Sequence, residues 1–291
     1  MTRAFTLIFV FIMLMTSCAQ NKKDHVVTIK TEYGDMVAIL YDETPQHKAN
    51  FIKLIQQHFF DSTLFHRVIQ GFMIQGGDPN SKKTKLGERL GNGGPGYTIP
   101  AEFNPKFFHE KGALSAARLG DQQNPSKASS GSQFYIVQGT VLTAADVNGM
   151  KYDQMKLMTG LRKMFEDPAN KGLLDSLNQL YYSGDMQAYQ ARLIELAPRV
   201  EKVTGLKVTK NISEEKIKIY TTVGGAPHLD DEYTVFGKVI KGLEIIDKIA
   251  AEPRDGTDRP LKDVRMFISV EEMSKKKITK EYGYQYPAEK K

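Results

Sequence analysis

A chain of 291 residues with 41% hydrophobic and 10% aromatic residues is ordinary for a folded globular protein and long enough for one large domain or two small ones. Its formal charge of +6 comes from scattered lysines, densest only near the C-terminus, which argues against nucleic-acid binding. The single cysteine, Cys18, excludes an internal disulfide, and with no H-E-x-x-H motif, Cys/His cluster or G-x-S-x-G run, neither a metal, a cofactor nor a serine hydrolase is expected.

In chain order, Arg3 supplies a positive start and residues 4–15 are almost unbroken apolar sequence. That run falls short of the ~20 residues a resident transmembrane helix needs and suits the core of a signal segment. Thr16 and Ser17 then lead to Cys18, with Met15 where Leu is usual. The pattern resembles a bacterial lipoprotein signal (residues 1–17), which implies lipidation of Cys18, attachment to a membrane and residence in the cell envelope. The following Ala-Gln-Asn-Lys-Lys has no acidic cluster, so the periplasmic face is expected. The plainer alternative is a secretion signal with an incidental cysteine.

Residues 18–25 read as a polar tether, followed by one domain over 26–273. Residues 26–31 and 36–41 are strand-like around Tyr33-Gly34-Asp35. Thr44-Pro45 predicts a capped helix start, and Phe51, Leu54, Ile55, His58 and Phe59 follow at helical spacing, with His58 at the core or its rim. Further strands are predicted over 64–69, 72–75, 112–118, 133–138, 234–241 and 264–271, with a short helix over 243–250. The glycine-rich loop of residues 79–97 cannot be regular structure. Many short strands with two helices point to a closed antiparallel barrel.

Between residues 143 and 223 the period turns helical. Val147, Met150, Met158, Leu161 and Phe165 form one set, Leu173, Leu177 and Leu180 a second, and Tyr189, Leu193, Leu196 and Val200 a third, interrupted at Pro198. Ser213 should cap a fourth helix running into Tyr220. This insertion reads as a helical hairpin packed on the nearest body, or as a methionine-rich partner-binding element. Residues 274–291 are lysine-rich with few aliphatics and predict a mobile tail.

The stretch Phe65-His66-Arg67-Val68-Ile69-Gln70-Gly71-Phe72-Met73-Ile74-Gln75-Gly76-Gly77-Asp78 sets an arginine, two glutamines, a phenylalanine and a methionine on adjoining strands. It resembles the signature of the cyclophilin-type peptidyl-prolyl isomerases. Ser130-Gly131-Ser132-Gln133-Phe134-Tyr135-Ile136 and His228-Leu229-Asp230, leading to Thr234-Val235-Phe236-Gly237-Lys238-Val239, agree with it in the same order. The resemblance covers about residues 26–139 and 224–273. It implies an eight-stranded barrel closed by two helices, no cofactor, a monomer, and proline-containing polypeptides as substrates, unfolded envelope proteins among them.

The resemblance also implies roles. Arg67 matches the catalytic arginine, with Gln75 and Gln133 beside it. Phe72, Met73, Gly91, Ala117, Arg118, Tyr135, His228, Leu229 and Tyr233 match substrate-contact positions, and His66 is structural. Tyr135 stands where phenylalanine is usual, Arg118 replaces a frequent asparagine and Tyr233 a common histidine. His228 replaces the tryptophan of members that bind cyclosporin tightly. The competing reading is a binding module or holdase that uses the helical insertion.

Overall fold

The computed structural model describes residues 22–85 and 87–287, so residues 1–17 and Cys18 lie outside it. Alternation along Lys23–Thr31 (β1) and Gly34–Leu40 (β2) places Val27, Ile29, Met36, Ala38 and Leu40 in one buried core. Thr63–Ile69 (β3) pairs with Met73–Gly76 (β4). Thr98–Ile99 (β5) and Ser129–Ser130 (β7) form a separate two-stranded sheet that the sequence did not announce. Ala113–Ala116 (β6), Phe134–Val137 (β8), Val235–Lys241 (β9) and Arg265–Ser274 (β10) complete a closed eight-stranded antiparallel barrel, ordered β1-β10-β3-β4-β8-β6-β9-β2.

Pro45–Gln56 (α1) buries Phe51, Leu54 and Ile55 in the barrel core. Phe51 meets Phe60, Phe134 and Phe236 at centroid distances of 5.0, 5.3 and 5.2 Å, tilted or edge-on, a geometry that adds to simple burial. The helix start differs from expectation. Thr44 makes no side-chain cap; instead the Glu102 carboxylate accepts from the backbone N–H groups of Gln46 and His47, at 3.1 and 3.0 Å. A negative group brought from elsewhere in the chain satisfies these orphan donors and complements the helix dipole. The other end also differs: the helix stops at Gln56, and His58 takes a left-handed conformation (φ 55°). Its side chain is 80% exposed beside Asp61, not packed in the core.

Between β8 and β9 run five helices, Ala144–Met150 (α2), Gln154–Met164 (α3), Lys171–Ser183 (α4), Met186–Thr204 (α5) and Glu214–Thr222 (α6). Asp153 caps α3 and Ser213 caps α6 by accepting from the N–H of the third residue beyond. Leu157, Leu161, Met164, Leu177, Leu193, Leu196, Ala197 and Val200 pack into a core of their own, distinct from that of the barrel. Backbone contact there is close, since a Cβ at Gly160 would collide with Val200. Helix α5 does not break at Pro198 but continues through it, with Ala197 and Val200 buried on either side. Among the methionines of these helices Met164 is buried, whereas Met155, Met158 and Met186 are exposed.

Leu243–Ala250 (α7) adds Ile245, Ile246 and Ile249 to the barrel core. The two ends of the chain depart from the sequence reading. Lys23, Asp24 and His25 are not tether but the first residues of β1, paired with Ser274, Met273 and Glu272. Residues 275–282 form a helix, Lys275–Tyr282 (α8), capped by Ser274 and closed by Gly283. Ile278 is fully buried with Val26, Val37, Ile39 and Met273, and Tyr282, Tyr284 and Tyr286 pack around them. The Tyr286 hydroxyl reaches Asp24, 3.0 Å away. Three tyrosines supply the apolar area that the scarcity of aliphatics concealed. Ile278→Ala is therefore expected to destabilise the protein by about 2–5 kcal/mol, read as a fall in the urea midpoint; an unchanged midpoint would mean that the C-terminal segment does not hold to the barrel.

Candidate functional site

Strand pairing brings three polar side chains into a row. Arg67 on β3 stands opposite Gln75 on β4, and Gln75 stands opposite Tyr135 on β8, two residues beyond Gln133. The Gln133 amide nitrogen donates to the backbone carbonyls of Gly91 and Gly93, at 2.8 and 2.7 Å. With both N–H bonds spent, its oxygen accepts from the Gln75 amide at 3.1 Å, and the Gln75 oxygen accepts from Arg67 Nη1 at 3.3 Å. This sequence of donors allows one orientation of each amide. Asp258 Oδ2 lies 3.6 Å from Arg67 Nε on the other side and is itself paired to Arg254. The guanidinium is thus braced along its length, yet the side chain stays 41% exposed.

The glycine-rich loop is held by Asp78, the last residue of the long motif. Its buried carboxylate accepts from the N–H groups of Asn80, Gly91 and Gly93, at 2.8, 2.7 and 3.1 Å. A Cβ at Gly93 would collide with that carboxylate, so the loop can close on Asp78 only through glycine. Gly91 lies over the ring of His66 and turns its carbonyl to Gln133. His66 is buried, and neither ring nitrogen has a hydrogen-bond partner among the described residues. Burial pushes its pKa down to about 4, helped by nearby Arg67 and Arg259 and opposed by Asp78.

Beside the row lies an apolar cluster. Met73, Ala117, Tyr135 and Leu229 are buried in one cluster, with Phe72 and Tyr233 partly buried against it. His228 stands at its edge, with its ring centroid 5.3 Å from that of Phe72. Arg118 is nearly all buried: it donates to the Glu232 carbonyl and pairs with Asp121 and Glu232. Its guanidinium also lies 4.4 Å over the Tyr233 ring. Its side chain is therefore held against Tyr233 at the edge of the cluster.

The Tyr135 hydroxyl belongs to a buried chain that the sequence reading missed. It lies 3.0 Å from His109 Nε2, and His109 Nδ1 lies 2.9 Å from Asp230. Tyr220 of α6 donates to the same carboxylate at 2.7 Å, and Lys216 pairs with it at 2.7 Å. Burial raises the Asp230 pKa, but bonds from His109 and Lys216 outweigh this and hold it below the ordinary carboxylate value. With Asp230 ionised, His109 donates to it from Nδ1 and meets the Tyr135 hydroxyl at Nε2. The unusual tyrosine thus ties the pocket floor to the insertion. The quoted motifs contained Tyr135 and Asp230, but His109 and Tyr220 come from outside them.

The family model of the cyclophilin type peptidyl-prolyl cis-trans isomerase matches residues 26–152 and 203–270. A Staphylococcus epidermidis protein provisionally named as a peptidyl-prolyl cis-trans isomerase is 32% identical over 248 residues, covering 84% of this chain and 91% of that protein. A Streptococcus pyogenes protein provisionally named as a bifunctional phosphatase/peptidyl-prolyl cis-trans isomerase is 28% identical over 248 residues; the match spans 84% of this chain but only 38% of that protein. The crystal structure of a Cryptosporidium parvum cyclophilin type peptidyl-prolyl cis-trans isomerase superposes with a TM-score of 0.50 at 21% identity, covering 86% of this chain and 98% of that one.

The burial of His66 has a consequence in solution. Its folded pKa of about 4 lies below the ~6.5 of an unfolded histidine. Between these values the unfolded chain binds more protons, so stability is lost as pH falls from about 6.5 to 4, by ~3 kcal/mol. A His66→Leu variant should lose less stability than wild type by that amount over the same interval in urea titrations. Equal losses would show that His66 titrates normally.

Proposed function

The chain belongs to the cyclophilin-type peptidyl-prolyl cis-trans isomerases, and from that premise we propose that Arg67 lowers the barrier to rotation about X–Pro bonds by donating to the twisted amide nitrogen. Resonance opposes that rotation with a barrier of ~18–20 kcal/mol. As the bond twists, conjugation is lost, the nitrogen regains its lone pair and becomes an acceptor. A donor fixed in place beforehand favours this state over either planar one, so binding energy goes into the transition state and no covalent step is needed. Arg67 is permanently charged, and its planar fork is held by Gln75 on one side and Asp258 on the other. Phe72, Met73, Ala117, Tyr135, Leu229 and Tyr233 grip the proline ring while the preceding carbonyl swings, and His228 borders the pocket.

The observation that carries this reading is the directed row from Gly91 and Gly93 through Gln133 and Gln75 to Arg67, beside an apolar cluster. A surface that only bound peptides would not require a guanidinium aimed by two amides. Arg67→Ala is expected to lower kcat/KM on a proline tetrapeptide on the order of 10²–10³-fold with little change in melting temperature. A folded variant with undiminished kcat/KM removes the role from Arg67. Wild-type protein no faster than buffer replaces the isomerase by the holdase reading, in which the exposed Met155, Tyr182 and Met186 of the insertion meet unfolded chains.

The location we propose is the bacterial cell envelope, facing the periplasm, with envelope proteins as folding clients. Support comes from the short apolar run of residues 4–15 and the small residues leading to Cys18. Among the described residues no helix is long and apolar enough to cross a membrane. Acyl chains on Cys18 would anchor the protein, firmly if more than one is attached. Cys18→Ser should move the protein from the membrane to the soluble fraction on cell fractionation; equal partitioning of the two forms would refute the lipid anchor.

A further inference from the structure

The insertion does not lie flat on the barrel. Between the two is a cleft of about 1260 Å³, larger than the ~300–1,000 Å³ of a typical small-molecule site. Phe108, Pro227 and His228 belong to its barrel side, and α5 forms the opposite side with Gln187, Gln190 and Ile194. His228 also stands against Phe72 at the edge of the proline pocket. His228 thus borders both Phe72 and the cleft, so a polypeptide whose proline rests on Phe72 would meet the cleft at His228.

The lining suits a peptide backbone. Gln154, Gln187, Gln190 and Asn211 each carry an amide that can both donate and accept. An extended chain presents one N–H and one C=O per residue whatever its side chains, so carboxamides can hold it without reading its sequence. Apolar residues between them, Leu142, Met150 and Leu193, offer surface to the side chains of such a chain. Helix α6, whose Lys216 lines the cleft, is fixed relative to Leu229 and His228, because Tyr220 and Lys216 both bond to the neighbouring Asp230. Residues 153–202, which supply the α5 wall, lie outside the family match, so the cleft belongs to this chain's own elaboration of the fold.

We propose that this cleft is a second binding site, taking the extended polypeptide that flanks the target proline on the His228 side. It rests on the isomerase reading for the position of the proline, and gives the insertion the role of lengthening the site from a few residues to a stretch of unfolded client. The insertion would then act on affinity for long substrates and not on the bond rotation itself.

Two substitutions at the lining of the cleft, one on α2 and one on α5, test this. Gly149 lines the cleft and has nothing within 4 Å of an added Cβ, so Gly149→Phe fills space without a clash at the backbone. Ala191, exposed on α5, also lines the cleft, and Ala191→Phe adds bulk there. Substrates are a proline tetrapeptide and a peptide extended by roughly six residues on each side, about 20 Å of chain per arm. Both variants should turn over the tetrapeptide as wild type does, while KM for the long peptide rises on the order of tenfold, ~1.4 kcal/mol. Anisotropy of the fluorescein-labelled long peptide should show the same loss of affinity without reference to turnover. If KM and affinity for the long peptide stay unchanged in both folded variants, the cleft does not bind the flanking chain. If wild type turns over neither peptide but the variants still weaken anisotropy binding, the isomerase reading fails while the cleft stands.

Discussion

The orientation of one amide governs the site. Gln133 has two N–H bonds, and the carbonyls of Gly91 and Gly93 take both. Everything downstream follows from that: Gln133 can only accept from Gln75, and Gln75 can only accept from Arg67. Upstream, the two glycine carbonyls are in place because Asp78 holds the N–H groups of the same two glycines. A buried carboxylate therefore aims, through a glycine loop and two amides, a guanidinium that it does not touch. In such a series each bond polarises the next, and each member is a donor to one neighbour and an acceptor from the other. Buried His66 lies beneath Gly91.

The sequence showed the barrel strands and the members of the site because both rest on local patterns. Alternation marked β2 to β4 within a residue or two of their ends, the start of β1 lay three residues before the expected one, and the motif run placed Arg67, Phe72, Met73 and Gln75 on one hairpin. What it did not show depends on residues that meet only after folding. Glu102 caps α1 from 56 residues downstream of Gln46, and Asp258 braces Arg67 from a loop nearly 200 residues away. The tail was misread for a different reason. Hydropathy counts lysines and aliphatics, and gives little weight to Tyr282, Tyr284 and Tyr286, whose rings cover barrel surface while their hydroxyls remain able to bond. A proline deletes one helical N–H, which predicts an interruption at Pro198, but packing on both sides of α5 outweighs that local loss.

The insertion is two things joined by chain. Helices α3, α4 and α5 enclose their own core and make a satellite body. Helix α6 is instead bound to the barrel, through Tyr220 and Lys216 on Asp230 and through the Tyr220 carbonyl on the Leu142 N–H. A cut that removed everything from 143 to 223 would leave Asp230 with a buried charge and half its partners, and the loss of a partner is far costlier than the pair is worth. A boundary drawn by pattern alone thus passes through a network that the folded protein treats as one.

Why a barrel tolerates so long an excursion is visible at its neck. The chain leaves at Thr140 and returns at Gly225, where the two residues exchange backbone bonds, Thr140 N to Gly225 O at 3.3 Å and Gly225 N to Thr140 O at 3.0 Å. Once that pair is closed, the strands on either side meet as they would across a tight turn. The cost of closing a longer loop grows only with the logarithm of its length, so the excursion adds little to the barrel's cost of folding. The close approach is possible because Gly139 and Gly225 carry no side chain at the crossing; a Cβ on Gly139 would strike the Gly225 backbone. The neck therefore separates the two tasks of the segment. It isolates barrel closure from the length of the insertion, and leaves α6, just before it, to carry position from the insertion to the pocket through Asp230.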